Sequence, residues 1–208
     1  DADTAEVLGG ENPVLLNTVA DITCYGLGDG IITPSATGGS APYQFSIDGQ
    51  NYFPAGSIFN NLDEGNYVIT VVDSLGCIDT TYSDIVEPDL LEITNINISN
   101  VSCNGFNDGE LTVTHTGGRS PYTYLWNDIN SQITDTAYGL SPGNYQIIVT
   151  DTSGCEDSIN AFITQPDSLA ITAISSDSAK CNGQTDGFIY VSVIGGTPIY
   201  SYNWSFSG

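Results

Sequence analysis

The chain has 208 residues, and 25 Asp and Glu against two Lys and Arg give it a formal net charge of -23. That balance excludes a nucleic-acid ligand, which needs clustered cations to displace phosphate counterions, and an anionic membrane surface would repel the chain for the same reason. Only 13% of residues are charged and 40% are hydrophobic, so the chain is not a disordered acidic tail, and no apolar run approaches the roughly 18 residues of a membrane-spanning helix.

In chain order, residues 1–12 read as a lead-in, the end of a preceding unit or a linker. The absence of Met and the start at Asp1 predict a beginning inside a longer polypeptide, with any leader removed or outside this stretch. A repeat follows. Cys24-Tyr-Gly-Leu-Gly-Asp-Gly30 returns as Cys103-Asn-Gly-Phe-Asn-Asp-Gly109 and as Cys181-Asn-Gly-Gln-Thr-Asp-Gly187. Gly38-Gly39 before Pro42-Tyr43 returns at Gly117-Gly118 and Gly195-Gly196, and Leu62-Asp-Glu-Gly65-Asn-Tyr67 at Leu140-Ser-Pro-Gly143-Asn-Tyr145. Asp73-Ser-Leu-Gly76-Cys77 matches Asp151-Thr-Ser-Gly154-Cys155, and Glu87-Pro88 matches Gln165-Pro166. Ordered markers at one period of about 78 residues predict repeats at 13–89 and 90–167, and a third, truncated one at 168–208.

Within the second repeat, strands are predicted at Leu91 to Ser99, Glu110 to Thr116, Tyr122 to Trp126, Thr134 to Tyr138, Tyr145 to Thr150 and Ser158 to Ile163. Turn residues separate them, no segment has helical period, and Thr, Ser, Ile, Val, Tyr and Gly dominate. The fold class expected is all-β, a tandem of immunoglobulin-like β-sandwich repeats. Leu-x-x-Gly-x-Tyr ahead of a β-branched run predicts a tyrosine corner at Tyr67 and Tyr145, each hydroxyl bonding to nearby backbone. The aromatic alternations Tyr43/Phe45, Tyr122/Tyr124 and Tyr200/Tyr202 read as core faces first and as sugar-stacking strips second.

Each full repeat has two cysteines. A fixed offset favours the pairs Cys24–Cys77 and Cys103–Cys155 in an oxidising compartment, with the partner of Cys181 outside the sequence. A closed loop of about 50 residues would contribute roughly 4 kcal/mol in the entropic account. The competing reading is free thiols, because a sandwich can place the first cysteine and the second at opposite ends. Zinc is disfavoured, since no repeat supplies four Cys or His ligands.

The Asp-Gly pairs at Asp29, Asp108 and Asp186, with Asp73 and Asp151, are candidate calcium ligands, weighed against simple turns. A dense Asp-x-Asp-x-Asp-Gly loop is absent, so a calcium site would have to be assembled from distant loops. No other cofactor is expected. Catalysis is not expected: repetition argues against a unique carboxylate pair, and His115, the single histidine, is replaced by Ala36 and Val193 in the other repeats. No nucleophile elbow or phosphate loop is present.

The ordered set Cys-x-Gly-x-x-Asp-Gly, Gly-Gly-x-x-Pro-Tyr, Leu-x-x-Gly-x-Tyr, Val-x-Asp-x-x-Gly-Cys and Gln/Glu-Pro resembles the SprB repeat family over about residues 13–208; the third repeat shifts the proline to Pro198. Such repeats occur in very large surface proteins of Bacteroidetes, a gliding-motility adhesin among them. The resemblance implies export by the type IX secretion machinery, display on the cell surface, and service in a stalk or filament. Its partners would be neighbouring repeats and surface polysaccharide or substratum. Asp-Ser or Asp-Thr before a small, aliphatic or Thr residue is similar to the O-glycosylation sequon of that lineage. It marks Thr4, Ser74, Thr80, Thr136, Ser158, Ser168 and Ser178, against the alternative that such pairs are ordinary turns. The rival class is a carbohydrate- or calcium-binding module.

Overall fold

The computed structural model describes residues 11–205. They form two compact bodies. One holds the described residues up to Glu92 together with Gly117–Pro121 and Asp151–Cys155; the other holds the remaining described residues from Ile93 onward. The candidate acceptor Thr4 lies outside the described residues.

The chain is all-β, and its sandwiches are immunoglobulin-like. In the first body, β1 (Val14–Ala20), β2 (Gly30–Thr37) and β5 (Phe59–Leu62) form one sheet in the order β1-β2-β5. The facing sheet has the order β4-β3-β6-β7, from β3 (Gln44–Ser46), β4 (Phe53–Pro54), β6 (Gly65–Val72) and β7 (Ile78–Ile85). The chain crosses between sheets at β2–β3, β4–β5 and β5–β6, the connectivity of this sandwich class. Alternation sets the faces: Ile32, Phe45, Ile69 and Val71 point inward from three strands and are at most 1% exposed.

The second body repeats the plan with β8 (Glu92–Ser99), β9 (Gly109–Thr116) and β11 (Thr136–Leu140) in one sheet, and β10 (Thr123–Trp126), β12 (Gly143–Thr150) and β13 (Glu156–Ile163) in the other. Here the largest core side chain moves by two positions. In the first sandwich Phe45, opposite Val71, fills the centre; in the second Trp126, opposite Ile147, does so, and the Trp126 Nε1 donates to the Thr134 carbonyl at 2.8 Å. β14 (Ala170–Asp177) and β15 (Phe188–Ile194) then pair as a two-stranded sheet.

Each sandwich places its first strand beside its last, running the same way. The Leu15 amide donates to Asp79 near the start of β7, and the Ile22 amide to the Val86 carbonyl just past its end. The second sandwich matches this with Ile93 to Asp157 and Val101 to Thr164.

That arrangement overturns the pairing expected within a repeat. Cys77 sits at the foot of β7 and Cys24 beyond its head, so a strand of eight residues, roughly 26 Å, lies between them. The structure instead bonds Cys24 to Cys155, with Cα atoms 5.7 Å apart, a usual span for a disulfide. Cys77, Cys103 and Cys181 are free thiols, so neither Cys24–Cys77 nor Cys103–Cys155 forms.

Candidate functional site

Chemistry concentrates in two kinds of turn. The first is the loop that carries Cys24, Cys103 and Cys181. In all three the residue three beyond the cysteine donates its amide to the cysteine carbonyl at 3.1 Å, and the intervening glycine has a positive φ. The Asp of Asp-Gly closes the loop from inside: Asp29 accepts the Thr23 amide at 2.9 Å, Asp108 the Ser102 amide at 3.0 Å, and Asp186 the Lys180 amide at 3.2 Å. Hydrogen bonds from Thr23 hold Asp29 below the ordinary carboxylate range, and those from Ser102 do the same for Asp108. The following glycine is there for space. A Cβ on Gly30 would lie 2.7 Å from the Leu62 carbonyl oxygen, and one on Gly109 would lie 2.8 Å from that of Leu140. The repeat's closing Glu/Gln-Pro reaches back to the same loop, where Glu87 accepts the Gly26 amide and Gln165 the Gly105 amide.

The second turn carries Cys77 and Cys155. Asp73 Oδ1 accepts the amides of Leu75 and Cys77, while Oδ2 accepts the Ser40 amide of the Gly-Gly loop. Asp151 does the same for Ser153, Cys155 and Arg119. Both carboxylates are buried, which opposes their ionisation, but the surrounding N–H donors outweigh that cost and lower both pKa values. Gly39 and Gly118 leave room for this approach, since a Cβ there would meet the Asp73 or Asp151 carboxylate at about 3 Å.

The five candidate calcium ligands are therefore each committed singly to backbone amides. Among the described residues no group of three or more His, Cys, Asp or Glu side chains is disposed to hold a metal. In this arrangement the five Asp residues organise turns, the reading weighed against calcium ligands from the sequence.

Within the first body the two turns meet. Cys155 bonds to Cys24, its Sγ lies 3.3 Å from the Thr23 carbonyl oxygen, and the Arg119 guanidinium donates to the Ile22 carbonyl at 3.2 Å. The bond therefore ties the cysteine loop of the first repeat to the Gly-Cys turn of the second, an arrangement that equal spacing within repeats concealed.

The other singled-out residues fall as follows. The Tyr67 hydroxyl donates to the Asp63 carbonyl at 3.0 Å and that of Tyr145 to Ser141 at 2.9 Å, each the hydrogen bond of a tyrosine corner. Phe45 is core, Tyr43 packs against that core, and the Tyr200 hydroxyl donates to the Gly195 carbonyl at 2.6 Å. His115 Nε2 lies 2.9 Å from the Tyr124 hydroxyl, and its ring packs edge-on to Tyr122. Of the candidate glycosylation positions, Ser74, Thr80, Ser158, Ser168 and Ser178 are exposed. Thr136 is not: it is 8% exposed and its hydroxyl is engaged with Thr112 and Asp135, so it is withdrawn as an acceptor.

Comparison with known proteins gives one family. The model described as SprB repeat matches residues 16–51, 95–131 and 173–207. No curated protein matches the chain. Among solved structures, a C-terminal fragment of intimin in complex with the translocated intimin receptor intimin-binding domain is 11% identical. It covers 76% of this chain and 66% of its own, with a TM-score of 0.43. The tetra-tandem repeat in the extending region of a large adhesion protein is 12% identical, with 88% and 62% coverage and a TM-score of 0.27. The N-terminal eight immunoglobulin domains of Down syndrome cell adhesion molecule are 13% identical, with 83% and 26% coverage and a TM-score of 0.33. The chain thus spans less than two thirds of the length of each of these.

Proposed function

Because the chain belongs to the SprB repeat family, we propose that it is a load-bearing stalk segment of a secreted cell-surface adhesin, with no catalytic role. The observation that carries this reading is the side-by-side, same-direction placement of β1 and β7, from Leu15–Asp79 to Ile22–Val86. A chain pulled at both ends loads these strands in shear. All the hydrogen bonds between sheared strands must yield together, whereas a hairpin pulled from one end opens one bond at a time. The tyrosine corners at Tyr67 and Tyr145 pin the loops leading into the strands that neighbour this pair.

The finer parts of the proposal follow from the family. The segment is exported by the type IX machinery, displayed as part of an outer-surface filament, and supports gliding or attachment to polysaccharide or substratum. The repeats adjoin at about 89 and 167. The exposed acceptors Ser74, Thr80, Ser158, Ser168 and Ser178 carry O-glycans, which intact-mass spectrometry of the native protein tests directly. The net charge of -23 keeps dense extracellular copies apart by mutual repulsion.

Force spectroscopy under reducing conditions tests the mechanical role. Pulling from the chain ends is expected to give discrete force peaks, one per cooperative sandwich. Smooth extension at low force would remove the stalk reading.

A further inference from the structure

The Cys24–Cys155 bond leaves Cys103 in the same kind of loop as Cys24, and Cys77 in the same kind of turn as Cys155, each without a partner. A second observation, within the second body, says what Cys103 awaits. Around Cys24, the Arg119 side chain of the next Gly-Gly loop reaches the Ile22 carbonyl. Around Cys103, the Thr197 hydroxyl of the next Gly-Gly loop reaches the Ser102 carbonyl at 3.4 Å. The donors Arg119 and Thr197 hold the same place in their repeats, and the acceptor shifts by one residue, since Ser102 is the counterpart of Thr23. What differs is the third component. A Cβ on Gly118 would lie 3.1 Å from the Asp151 carboxylate and 3.2 Å from Leu91, whereas the nearest atoms to one on Gly196 belong to Leu169, the counterpart of Leu91. A cavity of about 600 Å³ borders Ser102 and Cys103 and runs on past Leu169 and Gly196 to Ile171, Val193, Tyr200 and Tyr202.

We infer that Cys24–Cys155 is one rung of a disulfide ladder: the loop cysteine of each repeat bonds to the Gly-Cys turn of the repeat after it. Cys103 takes the turn cysteine that follows the Gly195-Gly196 loop. Cys77 takes the loop cysteine of a repeat before it, and Cys181 looks one repeat further on. Each rung forms when two thiols give up two protons and two electrons. An oxidised dithiol–disulfide exchange partner accepts them and leaves as the dithiol, so the oxidant is a thiol–disulfide oxidoreductase of the compartment.

The ladder changes how an array responds to load. Its rungs overlap, because Cys103 lies inside the 131-residue loop closed by Cys24 and Cys155. The shortest covalent route crosses a rung, follows the backbone only from a turn cysteine to the next loop cysteine, as from Cys155 to Cys181, and crosses again. That backbone stretch spans at most about 90 Å when fully drawn out, yet it and its rung advance the array by two repeats. Sandwiches could melt without the filament lengthening much.

The test is disulfide mapping of the full-length protein taken from the cell surface, alkylated with N-ethylmaleimide before any reduction, then digested and read by mass spectrometry. The expected cross-linked peptides join Cys24 to Cys155, Cys103 to the next repeat's Gly-Cys turn, and Cys77 to the preceding repeat's cysteine loop. The ladder is overturned if Cys103 or Cys77 carries the alkyl label, if Cys24–Cys77 or Cys103–Cys155 is found, or if Cys103 is bonded to Cys103 of a second copy. None of these outcomes bears on the shear geometry of a single sandwich, so the stalk reading stands or falls separately.

Discussion

Asp151 accepts the amide of Arg119, 32 residues earlier in the chain, at 2.8 Å through one carboxylate oxygen, while its other oxygen accepts the amides of Ser153 and Cys155. One side chain therefore fixes both a loop that touches the Ile22 carbonyl and the turn that presents a bonded cysteine. Replacing it with Ala leaves three amides without their acceptor in a site that is 6% exposed. Asp151→Ala is expected to lower stability by on the order of 1–3 kcal/mol, with Asp151→Asn, which keeps one acceptor oxygen, losing less. Thermal unfolding checks the order; equal melting for wild type and Asp151→Ala would show that the turn is held by something else.

The 208-residue chain, purified under oxidising conditions and kept dilute, is expected to titrate three thiols after denaturation, from Cys77, Cys103 and Cys181. Pairing within repeats would leave Cys181 alone. Counting with a chromogenic disulfide reagent separates three from one, and a count of one would reject the bond described above.

Acid should loosen the turns in a defined window. Asp29, Asp73, Asp108 and Asp151 all have lowered pKa values in the folded chain, where N–H or hydroxyl donors favour the charged form. A group with a depressed folded pKa binds its proton more readily when unfolded. Its stabilisation is thus complete above the unfolded value, about 3.9, and lost as pH falls through the folded value. Protonating 25 acids also relieves repulsion, which acts in the opposite sense. Denaturant midpoints in about 1 M salt, where the Debye length is near 3 Å, isolate the first effect. They should be flat from pH 7 to 5 and fall below about pH 4. A rise through pH 3 would mean these carboxylates do not hold the folded turns.

Much of this was readable from residue order, and what was not has an identifiable cause. Strand positions followed from alternation: β9 (Gly109–Thr116) and β12 (Gly143–Thr150) fall where Glu110–Thr116 and Tyr145–Thr150 were expected, with one- or two-residue extensions. The Tyr67 and Tyr145 hydrogen bonds follow from Leu-x-x-Gly-x-Tyr because the motif fixes a short loop with a local carbonyl. Cysteine connectivity was hidden because spacing is periodic. In an array, a partner one repeat away has the same sequence signature as a partner within the repeat. Only the side-by-side course of β1 and β7, which separates Cys24 from Cys77 by a strand length, breaks that tie. The Asp residues left turn and calcium ligand both open for a related reason: donors to an Asp from backbone amides leave no mark on the sequence.

Gly117 and Gly154 make a matched pair. Both have positive φ, 70° and 85°. A Cβ at Gly154 would meet nothing within 4 Å, whereas at Gly117 it would lie 1.8 Å from the Leu90 carbonyl oxygen, a backbone atom that cannot swing aside. Gly154→Ala should cost only the left-handed conformation, about 1–2 kcal/mol. Gly117→Ala adds a forced backbone shift and should cost clearly more, with loss of the fold around Leu90 and Leu91. Equal melting temperatures for the two variants would refute the close approach.

The longest lever arm is mechanical. The Cys24–Cys155 bond closes a loop of 131 residues in sequence separation, so a chain pulled from its ends cannot extend that segment until the bond is reduced. Fully drawn out, such a segment is about 450 Å long. Force–extension traces of the oxidised chain should therefore end short of those of the reduced chain by about that length. Pairs within each repeat would also hide length, but in two separate loops of about 50 residues, each roughly 180 Å. The decisive variant is Cys77→Ser with Cys103→Ser, at two positions that carry free thiols in this structure. It should keep the whole difference of about 450 Å. If the difference vanished in that variant, the bonds would lie inside the repeats, and the link from Cys24 to the turn at Cys155 would be lost.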